Sequence, residues 1–363
     1  MKTPTPPYPK STLIQGVCMD KFRCHNGAGD MWPITWADDD NLYGAAGDNS
    51  KSPMNFWKIN GMPDDNMLGT GWPVYLELIE NMPINPKKYC QKPYLHPKSG
   101  VKPASLLCVN GTIYLAAELH NYGENPSCNR QKNYSAWIIT TYDYGKTWDT
   151  EATPVDFFIG RLASPHFIQF GKDYEGARDE YIYAYFPAGD DGGSYWENGD
   201  GLLLGRVDQF RVLDRSSWEF YVGVGADGCP QWNGDDSQAD FVFRYPLMTG
   251  ENHVSYNKEL RRYLMGNYGF IDENGNPRPY HQGPWPQSAM RSQLTLFESP
   301  EPWGPWSMFH RDDNWGTYGD YQPNFPTKWM SNDGKTMLMV SSGSFDDYNF
   351  VTQKVTLTLN EQK

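Results

Sequence analysis

Asp30 and Asp48 are the two side chains of this sequence best placed for acid–base chemistry. They lie nine residues either side of position 39, inside the acidic turn Asp38-Asp39-Asp40. An antiparallel hairpin folded at that turn brings them opposite one another, with β-carbons about 5 Å apart. Two carboxylates that close do not both ionise cheaply, so one pKa rises. One protonated and one ionised carboxyl is what scission of a glycosidic bond needs: the first protonates the leaving oxygen, the second attacks or activates water. Each aspartate also follows a glycine, and aspartates in that setting cap turns, so a purely structural role stands beside the chemical one.

The hairpin is the first of five. A short apolar phrase with a large side chain follows a polar turn at Leu42-Tyr43-Gly44-Ala45, Ile113-Tyr114-Leu115-Ala116, Tyr181-Ile182-Tyr183-Ala184, Arg262-Tyr263-Leu264-Met265 and Thr336-Met337-Leu338-Met339. Self-similarity at a near-constant period sets the architecture before any local feature does. The expected fold is all-β, a five-bladed β-propeller of four-stranded blades, with residues 30–363 as one catalytic domain. Residues 1–29 form a lead-in that is expected to complete the last blade through the alternating run Val351 to Leu359, removing a sheet edge. In each blade the first strand begins and the second ends on the same face, so five hairpins present their ends to one funnel.

Those ends supply the remaining candidates. Glu118 closes the second strand of blade 2 and is a third carboxylate. His166 opens blade 3, His253, Tyr256 and Asn257 open blade 4, and Gln322 opens blade 5. Histidines and amides there suit a network of sugar hydroxyls, although a lone histidine at a strand end is commonly structural. Trp32 and Trp196 offer faces to the C–H side of a sugar ring. Arg161, just before blade 3, suits an anionic group. The runs Asp38–Asp40, Asp190-Asp191 and Asp235-Asp236 read as solvated turns, with a structural calcium ion as the other possibility.

Composition narrows the class. Gly and Pro number 35 and 28, and Trp, Tyr and Phe number 14, 24 and 17, a turn-rich and strand-rich profile. A net charge of −13 argues against nucleic acid as partner. No apolar run reaches the length of a membrane span. None of the six cysteines forms a Cys-x-x-Cys pair, so no zinc site is expected. Their even number and the sequons at Asn110 and Asn133 suit an exported, disulfide-bearing protein, secreted or periplasmic. The Pro-rich start has no apolar leader, as in a mature domain after export. No cofactor is required, and the chain is expected to act as a monomer on a polysaccharide or oligosaccharide.

Two sets of motifs carry a resemblance. Thr141-x-Asp143-x-Gly145-x-Thr147-Trp148 matches the Asp-box of sialidase-like propellers at every fixed position, and its expected role is local: the carboxylate bonds turn amides, Gly takes an unusual φ and Trp packs between strands. The opening Asp30-Met31-Trp32-Pro33-Ile34-Thr35-Trp36 through Gly47-Asp48, together with Ser164-Pro165-His166-Phe167, His253-Val254-Ser255-Tyr256-Asn257 and Tyr321-Gln322-Pro323, resembles a secreted bacterial family that includes the endo-D-arabinanases of glycoside hydrolase family 183. The resemblance spans roughly residues 30–360 and implies a five-bladed glycosidase using two aspartates of the first blade, onto which Asp30 and Asp48 fall. Cys18, Cys24 and the long 49–102 connection do not match that pattern.

The resulting expectation is a glycoside hydrolase. The alternatives are a polysaccharide lyase, using a His or Tyr base with Arg161 beside a uronate, and a sugar-binding propeller without catalysis.

Overall fold

The structure, a computed structural model, describes residues 4–25, 27–48, 54–61, 75–81, 99–121, 131–277, 291–316, 320–343 and 349–360. The fold is all-β. The helical elements among these residues are short 3₁₀ turns, and no helix is long and apolar enough to cross a membrane.

Two short strands, β1 (Ile14–Met19) and β2 (Arg23–His25), come first. A four-stranded antiparallel meander follows: β3 (Asp30–Trp36), β4 (Leu42–Gly47), β5 (Met54–Asn60) and β6 (Tyr75–Asn81). The second group is β7 (Ser99–Val109), β8 (Thr112–Asn121), β9 (Lys132–Thr141) and β10 (Phe158–Ile159). The third contains β11 (His166–Phe167), β12 (Tyr181–Ala188), β13 (Ser194–Tyr195), β14 (Gly199–Asp208), β15 (Glu219–Val224), β16 (Pro230–Asn233) and β17 (Phe241–Thr249). Strand β13 pairs with both β12 and β9, so the second and third groups share one hydrogen-bonded sheet. The fourth group is β18 (His253–Asn257), β19 (Arg262–Ile271), β20 (Arg291–Ser299) and β21 (Ser307–Trp315). The last is β22 (Tyr321–Asn324), β23 (Thr336–Gly343) and β24 (Asn349–Leu359), and β24 pairs back with β1 and β2.

Each repeated phrase opens the second strand of a hairpin, at β4, β8, β12, β19 and β23. The turns follow from local chemistry. Asn110 and Gly111, at φ 52° and 71°, make the two-residue turn their types favour. Asp40 takes φ 67° while its N–H bonds the Ala37 carbonyl at 3.1 Å. The first strands of the groups touch in cyclic order: β3 against β7, β7 against β11, β11 against β18, β18 against β22, and β22 against β3. This is a propeller arrangement. Apolar layers fill the spaces between groups. Trp32, Trp57, Leu338 and Phe350 lie between the last and first, and Leu264, Leu294, Met337 and Val355 between the fourth and last. Large side chains buried this completely contribute roughly 1.5–3 kcal/mol each.

The Asp-box performs the local role expected of it. Asp143 accepts from Thr141 Oγ1 at 2.9 Å, from the Thr147 amide at 2.9 Å and from Thr147 Oγ1 at 2.7 Å. Trp148 Nε1 donates to the Gly145 carbonyl at 3.1 Å, and its ring meets Phe56 edge-on at 5.0 Å. Gly145 sits at φ 89°, where a β-carbon would lie 2.4 Å from Phe56 Cδ1. Gly145→Ala is therefore expected to cost about 1–3 kcal/mol, read as a lowered denaturation midpoint, while activity per folded molecule is unchanged.

No disulfide joins the described cysteines; Cys90 and Cys128 lie outside the described residues. Cys18 and Cys24 are held apart by the sheet. They pair across β24 with Thr356 and Val351, about 17 Å apart along that strand, beyond the reach of a bridge.

Candidate active site

Asp30 opens β3 opposite Gly47, so Asp48 stands one residue beyond the last pair, not directly across. It takes φ 54°, turning out of the strand. A β-carbon on Gly47 would stand 2.8 Å from Asp30 Oδ1 and 2.9 Å from Lys102 Cδ, so this position must be bare for the acids to converge. Between Asp30 and the regular hairpin the register shifts, with Met31 and Trp32 at φ 81° and 53°. Left-handed non-glycine residues cost on the order of 1–3 kcal/mol each and collect where function demands a special geometry.

What joins the two aspartates is Lys102 of β7. Its Nζ lies 3.2 and 3.1 Å from the oxygens of Asp30 and 2.8 Å from Asp48 Oδ2. Tyr321 OH donates to Asp30 Oδ2 at 3.1 Å. The side chains of Asp30 and Lys102 are 5% and 4% exposed and that of Asp48 is 31%, so Asp48 is the member of the triplet that meets solvent. Burial pushes the Asp30 pKa up to about 6; Lys102 pulls against it, Asp48 adds to it and Tyr321 lowers it. Three donor contacts converge on Asp30, a setting that suits its ionised form.

A second carboxyl pair adjoins the first. Lys102 and Glu118 are cross-strand partners in the β7–β8 ladder, so their side chains neighbour each other on one face. Glu118 is fully buried and its pKa rises to about 7, chiefly through burial, against the pull of Ser164, Glu251 and Lys102. Ser164 and Glu251 approach its oxygens, but neither contact reaches full hydrogen-bonding geometry. Glu251, also fully buried, precedes β18, and burial followed by the neighbouring Glu118 raises its pKa well above the ordinary range. Its Oε1 accepts from Asn133 Nδ2 at 2.8 Å and Ser164 Oγ at 3.0 Å, and its Oε2 from Gln322 Nε2 at 2.5 Å. Two such acids in a dry site hold at least one proton at neutral pH. His166 Nε2 lies 2.8 Å from Ser164 Oγ and 4.0 Å from Glu251 Oε2. Its ring stands edge-on to His253 at 5.1 Å. Burial, aided by His253, holds His166 well below its usual pKa, and burial brings His253 to about 4, so both are neutral near pH 7.

These acids imprint themselves on stability. A carboxyl whose folded pKa exceeds its unfolded one binds more protons in the native state throughout the interval between the two values. The contribution is present below the unfolded value and is lost as pH rises through the folded one. For Glu118 that window runs from the ordinary value of 4.5 to about 7, and for Asp30 from 3.8 to about 6. Thermal midpoints measured across pH 4.5–8 are expected to fall as pH rises through this range and to level off above it.

The structure gathers Asp30, Asp48, Glu118, His166, His253 and Gln322 at one end of the strands, and it moves other expected residues elsewhere. Trp32 is fully buried, tilted against Trp57 at 5.9 Å and edge-on to Phe350 at 5.0 Å, with Nε1 donating to the Gly29 carbonyl. It is a core residue because the bulge turns it inward. Trp196 is also buried; its ring packs 4.9 Å from Tyr321 and its Nε1 points at Met31 Sδ, 3.1 Å away, so it supports the site from beneath. Arg161 Nη2 donates to the Ala239 carbonyl at 3.1 Å and its guanidinium lies over the Phe241 ring, a commitment away from the carboxylates. Tyr256 and Asn257 sit at the other end of β18, about 10–13 Å along the strand from His253, where Asn257 Nδ2 donates to the Gly334 carbonyl at 2.8 Å.

Lys102, Glu251, Ser164, Asn133 and Tyr321 were not among the sequence candidates. Lys102 carried no signal of its place: counted from the Asn110-Gly111 turn it falls opposite Leu119, and only the register shift between Pro103 and Ser105 brings it opposite Glu118. Glu251, in a connecting segment, had only its closeness to His253. The acidic turn serves itself: Asp39 accepts from Tyr43 OH at 2.7 Å and Asp40 from Trp36 Nε1 at 3.0 Å. Among the described residues no three His, Cys, Asp or Glu side chains are arranged to hold a metal ion.

Two aspartates on one ammonium, beside two buried acids with raised pKa values, form a site able to move a proton and stabilise positive charge. The chain shares its fold with a solved hydrolase candidate from Bacteroides ovatus. That likeness has 13% identity, covers 90% of this chain and 85% of the other, and gives a TM-score of 0.52. A GH43_1 enzyme from Xanthomonas citri, solved with xylose, covers 93% and 91% at 12% identity and a TM-score of 0.48. A mutant α-L-arabinanase from Cellvibrio cellulosa covers 93% and 94% at 12% identity and a TM-score of 0.45. No protein-family model and no curated protein matches the chain.

Proposed function

We propose that this chain is a five-bladed propeller glycoside hydrolase that cleaves a polysaccharide with the carboxyl groups around Lys102. The closed cycle of first strands supports the blade count. The observation that carries the activity is the placing of differently protonated acids side by side: Asp30 and Asp48 on one ammonium, and Glu118, with a pKa of about 7, at the cross-strand position next to it.

Lys102 occupies the space between Asp30 and Asp48, so these two do not flank the scissile bond as acid and nucleophile. Asp48, paired with Lys102 and facing solvent, is the carboxylate that attacks the anomeric carbon or activates water. Asp30, behind it, anchors the ammonium and supplies negative charge to an oxocarbenium-like transition state. Glu118 is the proton donor for the leaving oxygen. In this structure Glu118 is enclosed, so a bound glycan reaches it only after this end of the strands rearranges.

An elimination mechanism fits less well, because Arg161 is tied to Ala239 and Lys102 is saturated by two carboxylates, leaving neither to neutralise a uronate. The resemblance of the opening hairpin to family 183 makes D-arabinan the first substrate to try. Reducing-end release from a panel of D-arabinan, L-arabinan, xylan and glucan is expected for at least one polymer. Unsaturated products absorbing in the ultraviolet, or no turnover of any polymer, would refute hydrolysis.

A further inference from the structure

The ends of the strands remote from the carboxylates surround a hollow of about 500 Å³. It is lined from the end of β3, the segment after β11, the end of β18 and the segment after β22. Three of those strands begin at or beside the catalytic end with Asp30, His166 and His253. Its walls are aromatic. Trp36 and Tyr256 are half-buried, and Phe170 forms a buried floor 5.5 Å from the Tyr256 ring. Lys328 covers one side of Trp36, with Nζ 5.6 Å from the ring.

The charges on this lining balance. Lys172, Lys258 and Lys328 stand with Asp40, Glu175 and Glu259. An ion of either sign therefore finds no net attraction, whereas a ligand rich in hydroxyls, each both donor and acceptor, finds partners of both kinds. Partly exposed aromatic faces beside such groups suit the C–H face of a sugar ring. The volume lies within the range of about 300–1,000 Å³ usual for small-ligand sites. The backbone of the segment after β11, which supplies part of the lining, is unusual as well. Gly171 lines the hollow at φ 87°, and in the turn that follows it Asp173 and Tyr174, behind the lining, take left-handed φ angles of 48° and 65°, with Asp173 accepting from the Gly111 amide at 2.9 Å. Strain of this kind persists where the surroundings over-determine it and concentrates at ligand sites.

We propose that this hollow is a second, non-catalytic site for a short neutral segment of glycan, which tethers a polymer to the face opposite Asp48. That the tethered polymer is the one cleaved rests on the hydrolase reading; the binding itself does not. Tethering raises the local substrate concentration without touching the reacting bond.

Affinity electrophoresis through gels containing arabinan, arabinoxylan, mixed-linkage glucan or polygalacturonate tests it, with the protein carrying Asp48→Asn so that no polymer is consumed. At least one neutral polymer is expected to retard the protein. Adding either Trp36→Ala or Tyr256→Ala, on opposite walls, is expected to weaken that retardation about tenfold, with near-ultraviolet circular dichroism confirming the fold. In the otherwise natural chain, Trp36→Ala is expected to raise KM for the polymer and leave kcat/KM for an aryl glycoside unchanged. Equal retardation with and without both substitutions, retardation by no neutral polymer, or stronger binding of polygalacturonate would overturn the proposal. Absence of turnover in the natural chain would end the hydrolase reading and leave the retardation result standing.

Discussion

Asp48→Asn is expected to lower kcat on the best polysaccharide by at least about a thousandfold while the protein stays folded. The amide keeps the shape of the carboxylate and removes its charge, so it neither attacks nor takes a proton from water. The surrounding structure tolerates the change, because the side chain is 31% exposed and Lys102 retains Asp30. A second effect separates this loss from general damage. Asp48 contributes to the raised pKa of Asp30, so its removal brings that pKa down, and the acidic limb of any residual activity moves to lower pH. Turnover by Asp48→Asn within tenfold of the natural chain would remove Asp48 from the chemistry.

Glu118→Gln produces the other large effect. A general acid contributes about 10²–10⁴-fold, and most where the leaving group is poor. The expected loss is therefore of that order on a polysaccharide and much smaller on an aryl glycoside whose phenol leaves unaided. The same substitution is expected to stabilise the fold above pH 7, because a neutral amide removes the cost of ionising a fully buried carboxyl beside Glu251. Chemical denaturation at pH 8 checks the stability, and paired kinetics on the two substrates check the acid. Equal losses on both substrates would make Glu118 a structural member of the buried network, positioned by Ser164 and Glu251.

Much of the fold was written in local pattern, because hairpins are specified by turn chemistry and short-range alternation. The five phrases mark strand starts, Asn110-Gly111 makes its turn and the Asp-box closes on its own atoms. The site was legible only where it lies on those hairpins. Asp30 and Asp48 followed from symmetry about the acidic turn, but a bulge at Met31 and Trp32 breaks that symmetry, offsets Asp48 by one residue and buries Trp32. Tyr256 and Asn257 lie at the other end from His253, because the five-residue strand β18 joins both faces of the molecule and the sequence does not mark which of its ends meets the carboxylates. Lys102 stayed hidden because a lysine in a strand ordinarily reads as a solvated side chain. Its burial arises only when β3 and β7 meet, bringing together residues 72 apart in sequence. Glu251 carries no local signal, since its raised pKa comes from burial and then from Glu118, a residue of the second hairpin.

The most direct test is the pH dependence of kcat/KM, which reports the ionisations of the free enzyme. The natural chain is expected to give a bell with an acidic limb near pH 6, where Asp30 ionises, and a basic limb near pH 7, where Glu118 loses its proton. In Glu118→Gln, followed on an aryl glycoside, the basic limb is expected to vanish while the acidic limb stays in place. A flat profile between pH 5 and 8, or a basic limb unchanged in Glu118→Gln, would contradict a catalytic centre built on these carboxyl groups.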